Sequence, residues 1–247
     1  MNREQYRAEL ERYGTALAAA ATDLSRPVPS CPDWTVGDLV WHTSEVFYFW
    51  RLQLSGLLNG PDNYKEPERP SDGEVLDRYA DNLRHLVEAV RRADPAKPVW
   101  TWSADRTAGF VQRRMAHEAA VHAWDALVAA GRDEPIGREL AVDGIDEFLT
   151  HFLPSSPSSS LGGTVHLHAT DGPGEWSIAH DGTGWQVTRS HSKGTVAVRG
   201  TASDLLLVLW RRRAVGAVET FGDTAVLDQL LKPTRLPPPP STETLRV

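Results

Sequence analysis

The chain has 247 residues, enough for one large domain or two smaller ones, and its 40 % hydrophobic and 24 % charged residues are typical of a globular protein. Its net charge of −7 argues against nucleic acid and anionic membranes as partners, and its one cysteine, Cys31, excludes an internal disulfide and an all-cysteine zinc site. Without a run of 18 apolar residues or the apolar core of a signal peptide near the N-terminus, the sequence predicts a cytoplasmic protein.

The first part of the chain has the apolar spacing of amphipathic helices. The first helix carries a stripe made of Tyr6, Leu10, Tyr13, Leu17 and Leu24. The second begins at Thr35, where Asp38 three residues on is a near match to a capping box, and runs to about 58. Three more are predicted at about 76–90, 107–130 and 138–152. Four or five such helices joined by loops predict a helix bundle over residues 1–153.

Beyond residue 153 the pattern changes. LPSSPSSSLGG, residues 153–163, is a linker or long turn, and the apolar spacing after it becomes two residues. The strands predicted there are TVHLHAT, EWSIAHD, GWQVTRS and GTVAVRG. Two helices follow, SDLLLVLWRRR and TAVLDQLLK, and then a Pro-rich tail. Residues 154–247 are therefore predicted to form a small α/β domain, and the whole chain belongs to the α+β class.

RRMAHEAAVHAWDA, residues 113–126, concentrates metal-ligand side chains on the fourth helix. His117 and His122 are five residues apart, about 140° around a helix, so an unbroken helix cannot direct both at one ion. Glu118 and His122 are four apart and share a face. Arg114 lies one turn before them on that face and Asp125 one turn after, so one carboxylate and one imidazole can meet an ion.

A third ligand is needed, because catalytic zinc sites usually have three protein ligands and one open position. His42 is the best candidate, since Leu39 and Val46 share its face of the second helix and mark that face as buried. The simpler interpretations stay open at this point. Glu118 and His122 can be a surface pair, Arg114 can neutralise Glu118, and His42 can be an ordinary core histidine.

Three blocks together resemble the mycothiol-dependent maleylpyruvate isomerase family: VPSCPDWTVGDLVWHTSEV, TWSADRTAGFVQRRMAHEAAVHAWDA and PIGRELAVDGIDEFL. The resemblance implies a DinB-like four-helix bundle followed by a small α/β domain similar to sterol carrier proteins. It also implies a site for Zn²⁺ or another divalent metal on His42, Glu118 and His122. Mycothiol, a low-molecular-weight thiol, would be the second cofactor.

The activity implied by the resemblance is addition of a metal-bound thiolate to an electrophilic substrate. The outcome would be cis–trans isomerisation of a maleylpyruvate-like compound or transfer of the thiol. Because mycothiol supplies the thiol, Cys31 is expected only to pack. Arg114 and Asp125 are expected at the catalytic site, with Asp125 orienting His122. The side chains expected to bind the cofactor are Trp34, Trp102 and Arg113. The alternatives are that the two tryptophans only close the end of the bundle and that Arg113 is a surface charge on its helix.

Two other functions remain open: a thiol S-transferase for a specialised biosynthetic or xenobiotic electrophile, and a non-enzymatic protein that binds a small ligand. Expected partners are a small electrophile and a thiol, with no nucleic acid or membrane; both a monomer and a dimer are compatible with the sequence. His166 and His168 lie two apart on a predicted strand, a spacing that can bind metal. We predict instead that both face solvent and that the second domain supplies no metal ligand.

Overall fold

A computed structural model describes residues 1–154 and 161–232 of the chain. Two compact units divide between Glu134 and Pro135, so the predicted fifth helix groups with the second unit, although we expected it in the bundle. Most of the predicted linker and the Pro-rich tail lie outside the described residues. Within the described part of the chain, no helix is both long and apolar enough to span a membrane.

The first unit is a bundle of four helices. They are α1 (Arg3–Ala20), α2 (Val36–Ser55), α3 (Val75–Arg92) and α4 (Ala108–Ala129). Helix α1 packs against α3 and α4, and α2 packs against the same two helices. Each helix therefore has two neighbours, as in a four-helix bundle, and α2 and α4 lie side by side.

The start of α2 is fixed by the predicted capping box. The Thr35 hydroxyl accepts a hydrogen bond from the Asp38 backbone N–H, and the Asp38 carboxylate accepts one from the Thr35 N–H. The helix ends at Gly56, whose φ of 76° is left-handed and suits glycine. These two ends fix the extent of α2, the helix that carries His42.

Helix α4 is buried over most of its length, mainly through alanine and other apolar side chains. Its buried polar residues are Gln112, Arg114, His117, His122 and Asp125. Buried polar groups in native proteins almost always have partners. This concentration of polar groups inside the bundle identifies the middle of α4 as the place to look for a site.

The second unit contains a helix and a mixed sheet. Helix α5 (Arg138–Glu147) continues as a π-helical turn, Phe148–Phe152. The strands are β1 (Val165–Ala169), β2 (Glu175–His180), β3 (Trp185–Thr188), β4 (Val196–Gly200) and β5 (Glu219–Gly222), in the order β3-β2-β1-β4-β5. Strands β1 and β4 are parallel, and the other pairs are antiparallel. The helices α6 (Ala202–Leu209) and α7 (Thr224–Leu231) pack on β1 and β4.

The bundle followed by a small sheet unit confirms the predicted α+β class. Strand β5 was not predicted, because ETFG is short and mostly exposed and so has no alternation of buried and exposed residues. The solvent-facing prediction is wrong for His166, which is 5 % exposed, whereas His168 is about one-third exposed. Because side chains alternate along β1, the two histidines lie on the face of the sheet opposite Leu167. The ring of His191 covers His166 on that face, with the two ring centroids 4.9 Å apart.

Candidate metal centre

Helices α2 and α4 bring His42, Glu118 and His122 together inside the bundle. The Oε1 atom of Glu118 lies 3.1 Å from His122 Nε2 and 3.6 Å from His42 Nε2. The two imidazole rings stand nearly perpendicular, at 82°, with their centroids 5.2 Å apart. One ligand atom from each residue lies within 4.8 Å of the other two. The three residues singled out in the sequence thus converge on one point.

The geometry of this trio fits a divalent metal. Zinc bonds to imidazole and carboxylate are about 2.0–2.2 Å long, so tetrahedral ligand atoms lie about 3.4 Å apart. The two measured separations from Glu118 Oε1 bracket that value within a few tenths of an ångström. Two imidazoles and one carboxylate are also a donor set found in catalytic zinc sites that keep one position open.

Asp125 contacts the His122 ring at Nδ1, the nitrogen opposite the one that faces Glu118. Its side chain is fully buried, and its Oδ2 atom lies 2.9 Å from His122 Nδ1. A ligand histidine usually donates its second ring N–H to such a group, which fixes the tautomer and directs the other nitrogen at the metal. The Ser30 hydroxyl donates to the other oxygen of Asp125 at 2.5 Å. Sequence reasoning missed Ser30, because it lies in an irregular loop where spacing gives no facing.

Arg114 pairs with Glu118, as the simpler interpretation of the motif allowed. Its guanidinium is buried and binds Glu118 Oε2, whereas both histidines lie near Oε1. The two oxygens therefore have different neighbours, and the ion pair leaves Oε1 directed at the histidines. A buried arginine also balances the carboxylate charge, which would otherwise be costly inside the bundle.

The charges of the cluster shift its acid–base behaviour. Burial raises the pKa of Glu118, but the opposing charges of His122 and Arg114 outweigh burial and hold that pKa well below its usual value. Burial lowers the pKa of His122, but the carboxylates of Glu118 and Asp125 outweigh burial and raise it. Glu118 is thus ionised and ready to act as a ligand, while a metal at this position would compete with a proton on His122.

The other predicted site residues are placed as follows. The Trp34 ring lies 4.8 Å from the His42 ring, at the edge of the trio. Trp102 contacts Phe110 in the first turn of α4, with ring centroids 5.3 Å apart. Arg113 is half-buried and lies about 100° around α4 from Arg114. The Cys31 thiol lies 3.7 Å from Asp125 Oδ2. The binding roles of Trp34, Trp102 and Arg113 stay predictions.

Comparison with protein families gives two matches that together span most of the chain. The model of the mycothiol maleylpyruvate isomerase N-terminal domain matches residues 5–127, and that of the MDMPI C-terminal domain matches residues 139–229. The first match contains α2 and α3 and nearly all of α1 and α4, including every residue of the trio. The second contains the sheet and α6, and ends within α7. A search among curated proteins finds no significant match.

Two solved structures share the fold. A crystal structure of the mycothiol-dependent maleylpyruvate isomerase has a TM-score of 0.61 and 14 % sequence identity, over 97 % of this chain and 96 % of that one. A mutant of that isomerase with alanine in place of a histidine gives the same TM-score at 13 % identity and the same coverage. At these identities the likeness establishes the fold, including both units.

Proposed function

Because the chain belongs to the mycothiol maleylpyruvate isomerase family, we propose that it is an enzyme that uses mycothiol and a divalent metal, most simply zinc, held by His42, Glu118 and His122. The observation that carries the proposal is the convergence of these three side chains from two helices. The substrate would be a small unsaturated electrophile, and isomerisation of a maleylpyruvate-like compound is the reaction that the family name supports best.

When bound, a zinc ion would keep the mycothiol thiol deprotonated, and the thiolate is the reactive form. The chain's own residues prepare the site for that role. Asp125 holds the His122 ring through Nδ1, so that Nε2 is directed at Glu118 Oε1. Arg114 neutralises one Glu118 oxygen and leaves the other to the histidines. Trp34 contacts the His42 ring, with the two ring centroids 4.8 Å apart.

Burial explains why the bundle interior suits this chemistry. The side chains of His42, Glu118 and His122 are 13 %, 15 % and 7 % exposed, so all three are mostly buried and keep a small contact with solvent. Electrostatic attraction between a cation and a thiolate is stronger where water is largely excluded.

The test is a reaction of zinc-loaded protein with mycothiol and maleylpyruvate, followed by NMR of the product. We expect conversion to the trans isomer only when zinc and mycothiol are both present, with mycothiol unchanged at the end. His42→Ala should lose the activity while remaining helical by circular dichroism. His85→Ala, on the exposed face of α3, is the matched control and should keep it. Turnover without metal would contradict the proposal, and a stable thiol adduct would assign thiol transfer instead.

A further inference from the structure

A second group of metal-ligand side chains lies in the sheet unit. His166 and His168 are on β1, Glu175 is on β2, and His191 is in the segment between β3 and β4. Strand register places His168 directly opposite Glu175, and His166 two residues along β1 lies on the same face of the sheet. The antiparallel pairing of β1 with β2 therefore gathers three of the four groups, and the segment after β3 brings the fourth.

Glu175 is the centre of this group. Its Oε1 atom lies 2.9 Å from His168 Nδ1, and its Oε2 atom lies 3.0 Å from His191 Nδ1 and 3.4 Å from His166 Nε2. One ligand atom from each of the four residues lies within 4.8 Å of all the others. Ligand atoms in a tetrahedral zinc site lie about 3.4 Å apart, and the three separations from the Glu175 oxygens, 2.9–3.4 Å, are close to that value.

The burial and the weak contacts of His166 are a second observation that favours a ligand here. The side chain is about nineteen-twentieths buried, and Nε2 makes no hydrogen bond with any of the described residues even though Glu175 Oε2 is 3.4 Å away. Buried polar atoms in native structures are nearly always satisfied. This nitrogen points into the group of four, where a bound cation would give it the missing partner.

Backbone packing and a side-chain hydrogen bond hold the segment that carries His191 close to β1 and β2. Gly194 lies so near the His166 backbone that an added Cβ would stand 3.0 Å from His166 N and 2.6 Å from Val196 O. The hydroxyls of Ser177 and Ser192 hydrogen-bond at 2.5 Å and connect the segment to β2. These contacts keep His191 beside the strands that carry the other three residues.

We propose that His166, His168, Glu175 and His191 form a second zinc site, separate from the one in the bundle. Three imidazoles and a carboxylate fill all four tetrahedral positions, which is the pattern of a structural site rather than a catalytic one. The ion would fasten the segment after β3 to β1 and β2. This proposal departs from the prediction that the second unit supplies no metal ligand.

The decisive experiment compares two full-length variants. Each is freed of metal, incubated with excess Zn²⁺, passed through gel filtration and measured by elemental analysis. His42→Ala should retain one zinc ion per chain, and His42→Ala combined with His191→Ala should retain none. Because His191 is 76 % exposed, we expect the variant to fold, which circular dichroism checks. Its loss should weaken zinc binding more than the roughly 100-fold that removal of a supporting residue causes.

Two further variants place the ion. Glu175→Gln in the His42→Ala background should also lose the retained zinc, whereas His85→Ala in the same background should keep it. If His42→Ala retains no zinc, or if the His191→Ala double variant still retains one, the second site does not exist as proposed. Zinc that is lost on gel filtration would count as adventitious surface binding and would overturn it too.

Discussion

Replacing Asp125 should weaken metal binding in the bundle while leaving α4 folded. The Asp125 carboxylate is fully buried and accepts from His122 Nδ1 through one oxygen and from Ser30 through the other. Alanine removes both bonds, so the His122 ring loses the group that fixes its tautomer and angle. Asparagine can turn its one carbonyl oxygen to His122 and let the Ser30 hydroxyl accept from its amide.

The expected loss of zinc affinity differs between the alanine and the asparagine variants of Asp125. Loss of a group that orients a metal ligand typically costs 10- to 100-fold in affinity, or about 1.4 to 2.7 kcal/mol. We expect Asp125→Ala at the upper end of this range, because no acceptor remains for His122 Nδ1. Asp125→Asn should fall at the lower end, since a neutral acceptor replaces a charged one.

The assay is a competition of metal-free protein against a fluorescent zinc chelator. It is best done in the His191→Ala background, so that the bundle site alone is titrated. Ser30→Ala is the matched control: it removes a hydrogen bond from Asp125 but keeps the bond to His122, and it should bind zinc within a few-fold of the parent. Equal zinc affinity for Asp125→Ala and its parent would refute the orienting role.

Three other outcomes are expected. Cys31→Ser should keep full activity in the isomerase assay because mycothiol supplies the thiol; inactivity of the folded variant would point to a protein thiolate instead. Thr35→Ala should destabilise the bundle by about 1 kcal/mol in urea unfolding through loss of the α2 cap, and Thr35→Ser should not. Burial, with the nearby charge of Glu66 adding to it, raises the pKa of Glu45 from 4.5 to about 8, so the folded state holds a proton that the unfolded state releases. The free energy of unfolding should therefore fall as the pH rises from 4.5 to 8, by up to about 1.4 kcal/mol per pH unit. Urea unfolding at a series of pH values measures this dependence. If Glu45→Gln shows the same change of unfolding free energy with pH as the parent, Glu45 is not its cause.

Helical periodicity is enough to predict the facing of the three bundle residues. Leu39 and Val46 mark the buried face of α2, both are buried, and His42 between them does face α4. The four-residue spacing of Glu118 and His122 puts both on one side of α4. Regular elements relate spacing to direction, so residues on two such elements can be matched from the sequence alone.

Spacing does not predict the path of an irregular segment or which strand its side chains cover, because such a segment has no fixed relation between spacing and direction. Alternation along β1 puts His166 on the face opposite Leu167, but it does not show that His191 folds over that face. Ser30 reaches Asp125 from a loop whose path depends on local turns. Strand β5 forms because β4 offers an edge to pair with, rather than through an apolar pattern of its own.

The proposed function depends on one event, the binding of mycothiol through its sulfur to a metal held by His42, Glu118 and His122. An anomalous difference map at the zinc edge, from crystals of the zinc-loaded protein with and without mycothiol, would detect this event. We predict a peak among these three side chains, separate from any peak at His191, and thiol sulfur about 2.3 Å from it when mycothiol is present. No peak among the three, or mycothiol bound with its sulfur away from that ion, would contradict the proposed function.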